Sequence, residues 1–171
     1  VERLIHQIRD ADRVFDRPRP VIADVVSHQR AFSRRLEMLG SSRHILHTSV
    51  SPLQYRDHLL HKKNLALADR FMFTWIQTEA AAPNVATRHP SRHRPIFVEA
   101  EQIWMQAWAA ICVGHRGLGY WTSRPLDADT PAAKEVRLAL SLLNAQIELL
   151  EPWLATGKVV DKAEAMAANP N

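Results

Sequence analysis

Strand-like and helix-like segments alternate four times along these 171 residues. Strands that follow one another through a helix must run parallel, because only a long crossover can return the chain to the same end of a sheet. The alternation starts after a helix predicted over Val1–Arg13, where Leu4, Ile5, Ile8 and Ala11 recur at helical spacing. Arg17-Pro-Arg-Pro20 ends it, since proline fixes φ and lacks a donor. Val21–Val26 reads as a buried strand, and Gln29–Leu39 as a helix stopped by Gly40 at the left-handed capping position. His44–Val50 reads as the second strand. Ser51-Pro-Leu-Gln54 opens a helix that runs to about Asn64, with Ser51 as N-cap, Pro52 in the first turn and Gln54 at capping-box spacing. Arg70–Gln77, rich in aromatic and β-branched residues, is the third strand. A basic loop over Ala80–Arg94, a helix over Val98–Val113 and a fourth strand over Gly117–Thr122 follow. Thr130-Pro131 starts a last helix, Ala132–Ala155, which Gly157 ends. Residues 1–160 form one domain on this reading, and the Ala-rich polar stretch 161–171 is a linker or tail.

Two architectures satisfy this order: an open doubly wound α/β sheet, or part of a (β/α)8 barrel. A glycine-rich phosphate loop after the first strand would favour the former, and neither G-x-G-x-x-G nor a Walker A pattern occurs. Arg116-Gly-Leu-Gly119 holds two glycines, but inside a strand. With 46% hydrophobic and 23% charged residues the composition is that of a globular domain. The net charge of +4 is spread along the chain, Arg88–Arg94 excepted, so nucleic acid is not an expected partner. No apolar run approaches the ~20 residues of a membrane helix, and no membrane association is expected. One cysteine, Cys112, excludes an intrachain disulfide and a Cys-based zinc site. Set among Trp108, Ile111 and Val113, it reads as an inert core thiol.

In either architecture ligands bind at the carboxyl ends of the strands. The residues there are Asp24 and His28; His47, Thr48 and Ser49; Gln77, Thr78 and Glu79; and Trp121, Thr122, Ser123 and Arg124. Phe73, Trp75, Gln77 and Glu79 share one face of an extended strand, which places aromatics below an amide and a carboxylate. Trp121 shares a face with Gly117 and Gly119, so its indole fills or floors the space they leave. Aromatic floors suit sugar rings, whose C–H faces are apolar. Asp24 is an acid, an ion-pair partner or a hydroxyl acceptor, or else a turn cap. The pairs His44/His47, His58/His61 and His89/His93 match no metal-ligand pattern, and neither metal nor cofactor is expected. Serine hydrolysis lacks its G-x-S-x-G elbow.

Phe71–Ala155 resembles the C-terminal portion of glycoside hydrolase-type TIM barrels, the β-galactosidase-like proteins and their uncharacterised relatives. The likeness rests on Phe73-Thr-Trp-Ile-Gln77, similar to that family's seventh strand, and on Arg94-Pro-Ile-Phe-Val-Glu-Ala-Glu-Gln-Ile-Trp-Met-Gln106, a proline before an acidic amphipathic helix. It rests also on Trp108–Trp121, small and apolar residues leading into an aromatic eighth strand, and on a closing helix with Asn144 and Glu148-Leu-Leu-Glu-Pro-Trp-Leu154. The resemblance implies strands 5–8 of a (β/α)8 barrel and a carbohydrate substrate. It implies hydrolysis of O-glycosidic bonds by two carboxylates, with Glu79 matching the nucleophile at the end of strand 7. The acid/base carboxylate belongs to strand 4, outside this chain. Asp24, His47, Gln77 and Arg124 would then bond sugar hydroxyls while Trp121 stacks on the ring; a carbohydrate-binding or scaffold barrel without catalysis is the alternative. Such a barrel takes about 250 residues, so the chain is expected to be a fragment, with Val1 a cut rather than a start. Alone it would be inactive, and it would need its missing N-terminal half or a second copy to cover its strand edges.

Overall fold

The computed structural model describes residues 2–15, 20–80, 98–123 and 125–156. The expected loop Ala80–Arg94, Arg124, Gly157 and the 161–171 tail fall wholly or mostly outside them. The elements in chain order are α1 (Glu2–Phe15), β1 (Ile22–Asp24), α2 (Gln29–Phe32), β2 (Met38–Gly40), α3 (Pro52–Leu65), β3 (Phe71–Gln77), α4 (Ala100–Cys112), β4 (Gly117–Trp121) and α5 (Pro131–Thr156). The four strands form one all-parallel sheet in the order β1-β2-β3-β4. The fold is mixed α/β, as the alternation required.

Three elements differ from the sequence reading. The second strand is Met38–Gly40, not His44–Val50, and the helix expected over Gln29–Leu39 closes after one turn. Gly40 is therefore a strand residue rather than a helix cap. A Cβ on it would stand 2.7 Å from the Phe73 ring and 2.8 Å from the Asp24 backbone, so the space beside β2 admits only hydrogen there. The first strand is also shorter than expected. With Ile22 53% and Val26 87% exposed it is an edge rather than a buried strand.

The helix starts follow their local chemistry. Ser51 and Gln54 form the reciprocal capping box, with N–H to oxygen distances of 3.2 and 2.9 Å, and Pro52 lies in the first turn. Glu99 and Gln102 repeat the device at α4. α4 ends at Gly114, whose φ of +86° is the left-handed conformation that glycine adopts without strain. The Lys63 ammonium lies against that turn, a favourable place for a cation beside the last carbonyls. Cys112, at the end of α4, is exposed rather than in the core.

Strand register separates the two faces of the sheet. Ala23, Leu39 and Met72 stand in one row, and Leu118 and Tyr120 neighbour Thr74 and Ile76. These residues meet the helices in two apolar clusters. Ile5 of α1 joins Val25, Leu36, Leu39 and Met72 in the smaller one. Tyr55 and Leu59 of α3, Ile103, Ala107 and Ala110 of α4 and Leu140 and Leu143 of α5 join Ile76 in the larger. The alternate residues, Phe71, Phe73, Trp75, Gly117, Gly119 and Trp121, belong to neither cluster. All the described helix–sheet packing in these clusters thus lies on one face.

Gly40→Ala should destabilise the fold by about 1–3 kcal/mol, the usual cost of forcing an extra carbon into a packed site. Thermal unfolding followed by circular dichroism reads this as a drop of several degrees. An unchanged midpoint would mean that β2 can move away from Phe73 freely.

Candidate functional site

The carboxyl end of β3 is held by two glutamine side chains. Gln106, on α4, pairs with the peptide of Gln77 as a neighbouring strand would: its Oε1 accepts from Gln77 N at 3.1 Å and its Nε2 donates to Gln77 O at 3.2 Å. The Gln77 side chain points the other way. Its Oε1 accepts from the backbone N–H groups of Ile45 and Leu46 at 2.5 and 3.0 Å. Its Nε2 lies 3.0 Å from His44 Nδ1. Gln77 and Gln106 are 1% and 0% exposed, so these bonds replace water that cannot reach them. The segment that resembled a strand, His44–Val50, is a loop in which the Ile45 and Leu46 amides find their acceptor in Gln77, while the Thr48 and Val50 amides bond within the loop.

This arrangement gathers part of the expected site. The His44 ring meets the Trp121 indole edge-on, with centroids 4.7 Å apart at 80°. His44 is exposed, Trp121 half-buried, and both stand beside Gln77. Two residues further on, a Glu79 carboxylate oxygen accepts from the Ser123 N–H, which ties the ends of β3 and β4 together. Thr78 adds a second tie: its N–H and hydroxyl both donate to Trp121 O, at 3.1 and 2.9 Å. Thr78, Glu79 and Thr122, together with Leu126, Thr130 and Val136, line a cavity of about 270 Å³. Behind this rim, Trp75 lies across Gly119, where a Cβ would stand 2.4 Å from the indole; the ring is 38% exposed and meets Phe73 edge-on at 5.9 Å.

Asp24 and His47 stand apart from that group. The Asp24 carboxylate accepts from the Ser42 hydroxyl and, at 3.4 Å, from the Ser42 N–H. It links the ends of β1 and β2 and is exposed. His47 has a φ of 58°, uncommon for a residue with a side chain, and its Nε2 is buried without a hydrogen-bond partner. Arg124 lies outside the described residues. Ser42 and His44 were missed by sequence reasoning. Both follow β2 directly, so the strand-end rule selects them once that strand is placed at Met38–Gly40. Among the described residues no three His, Cys, Asp or Glu side chains gather as metal ligands would. No described helix is long and apolar enough to cross a membrane.

A serine–histidine pair does occur, on the helix-covered face. Ser41 Oγ lies 2.7 Å from His115 Nε2, and both residues are buried. His115 Nδ1 is buried with no hydrogen-bond partner, so no carboxylate orients the ring. The pair is a clasp: Ser41 follows β2, His115 precedes β4, and the Thr74 hydroxyl of β3 donates to Ser41 O at 3.1 Å between them. Burial, with Lys63 and His58 nearby, pulls the His115 pKa down to about 4. Burial likewise pushes the adjacent Tyr55 phenol up to about 12.

Two measurements follow from these bonds. Gln77→Leu leaves the Ile45 and Leu46 N–H groups without their acceptor, and each such loss costs about 1–3 kcal/mol. Urea unfolding should show that loss, with Gln77→Glu retaining more stability because it keeps the acceptor oxygen. The second concerns pH. His115 takes a proton near 6.5 when unfolded and only near 4 when folded, so its contribution is whole above pH 6.5 and is lost as pH falls toward 4. At pH 4.5 the loss is about 2–3 kcal/mol. Unfolding free energies at pH 7 and 4.5 should differ less in His115→Gln than in the parent chain; an equal difference would remove His115 as the cause.

No protein-family model matches the sequence, and no curated protein matches it.

Proposed function

We propose that the chain is the second half of a (β/α)8 barrel, its strands standing as strands 5–8, and that the carboxyl end of its sheet binds carbohydrate. Four parallel strands in sequential order, with the described helix packing on one face, support the barrel reading, because a barrel turns its other face inward. The observation that carries the carbohydrate reading is Trp75, an exposed indole packed against Gly119 on the sheet face that also carries Trp121, two residues before the polar strand end of Gln77 and Glu79. A sugar ring stacks its C–H face on an indole and offers its hydroxyls to the rim. Glu79 is the nucleophile, or the carboxylate that stabilises an oxocarbenium-like centre, and its bond to Ser123 N–H holds it oriented. Asp24, and Arg124 beyond it in the chain, bond sugar hydroxyls. Gln77 acts one step back, by fixing the loop that carries His44.

Titration of the chain with neutral mono- and oligosaccharides should change its indole fluorescence, and Trp75→Ala should weaken that binding at least tenfold. Glu79→Gln should spare binding. In a protein that also carries strands 1–4, the same substitution should abolish turnover of aryl glycosides. Binding with no turnover in such a protein identifies a carbohydrate-binding barrel without catalysis. If no sugar perturbs the fluorescence, the carbohydrate reading fails.

A further inference from the structure

The last helix carries two apolar stripes on opposite sides. Val136, Ala139, Leu140, Leu143 and Ile147 pack into the main core. About 140° around the helix, at 100° per residue, run Leu138, Leu142, Ala145, Leu149 and Trp153. Its four large side chains are 62%, 47%, 72% and 66% exposed. A helix that packs on one face of a domain normally turns polar side chains outward, so among the described residues this second stripe is unpartnered surface. Its spacing of four, three, four and four residues is that of a helix–helix seam.

We propose that the outer stripe is a homodimer interface, in which α5 packs antiparallel against α5 of a second copy. Three observations select a second copy running in that direction. The stripe is nearly palindromic about Ala145: Leu142 and Leu149 lie three before and four after it, and Leu138 and Trp153 seven before and eight after. A twofold axis at Ala145 therefore sets Leu142 against Leu149 and Leu138 against Trp153, with the small residue where the helices cross. The charges of α5 divide the same way. Lys134, Glu135 and Arg137 leave its first half net positive, with Lys134 also paired to Asp129 and Arg137 also bonded to the Leu126 and Ala128 carbonyls, and Glu148 and Glu151, without a cation, make its second half negative. Antiparallel pairing brings each basic half beside the partner's acidic half and opposes the helix dipoles; parallel pairing stacks like on like. The exposed area of these side chains would bury on the order of 1,000 Å² in a pair, approaching the range of stable interfaces before flanking residues are counted.

The interface is independent of the proposed sugar site, since α5 packs on the sheet face opposite Trp75. Sedimentation equilibrium of the 171-residue chain should show a concentration-dependent mass rising to twice 19.5 kDa. Leu149→Glu should shift the association constant at least tenfold toward monomer, with an unchanged far-ultraviolet spectrum. A second variant guards against a Leu149 substitution that unfolds the chain. Ala145→Cys, in a chain whose exposed Cys112 is replaced by Ser, should be joined to a covalent dimer by a short bismaleimide, while the Cys112→Ser chain alone is not. A single 19.5 kDa species at every concentration overturns the proposal. So does a dimer that survives Leu149→Glu and is lost in Trp75→Glu, which would place the contact on the other face of the sheet.

Discussion

The end of β3 stays in place because one glutamine lends its side chain to a second glutamine's backbone. Gln106 supplies the donor and acceptor that a neighbouring strand would have supplied to Gln77, and this frees the Gln77 side chain to hold Ile45 and Leu46. Three elements are fixed by that pair of amides: the last residue of β3, the second turn of α4 and the loop before α3. Every amide group in it is buried and bonded, the condition under which a polar network specifies one arrangement instead of weakening the core. The polar groups at the strand ends inherit their positions from it. His44 is held by the same amide, and through His44 the Trp121 ring is oriented.

The rest of the sheet is organised by size. On the helix-covered face the rows hold Leu39, Met72, Ile76 and Leu118, ordinary core residues. On the other, large rings alternate with glycine across the strands: Phe73 lies between Gly40 and Gly117, and Trp75 beside Gly119. The rings need the glycines, because they lie over the neighbouring strand instead of rising from their own. The two rings stand at 86° to each other, Phe73 buried and Trp75 exposed, so the space left by the glycines is filled by edge-to-face aromatic packing. The polar clasp of Ser41, Thr74 and His115 keeps β2, β3 and β4 together from behind.

Much of this was legible in residue order, and the failures share one cause. The capping boxes, the aromatic third strand and the parity that puts Trp75, Gln77 and Trp121 on one face all depend on local chemistry that a sequence displays. β2 does not display itself. Three residues are too few for a period, and its glycine, placed after Glu37-Met-Leu39, mimics a helix terminus. His44–Val50 has strand-like composition because Ile45 and Leu46 are buried, yet the ladder that would make it a strand is replaced by a side chain more than thirty residues away. Ser42 and His44 were missed for the same reason, since the strand end from which they extend had been misplaced. Cys112 failed differently: Ile111 and Val113, its immediate apolar neighbours, point about 100° away to either side, and Cys112 itself falls on the exposed side of the helix.

The loop between β2 and α3 therefore has a character in time that its shape does not suggest. Loops usually open on their own, and their amides trade hydrogen with water far more often than those of a sheet. The Ile45 and Leu46 amides open only when the Gln77 side chain lets go, and Gln77 is itself clamped to α4 through Gln106. Their protection belongs to the interior, so a segment with no secondary structure should share the lifetime of the strand it leans on.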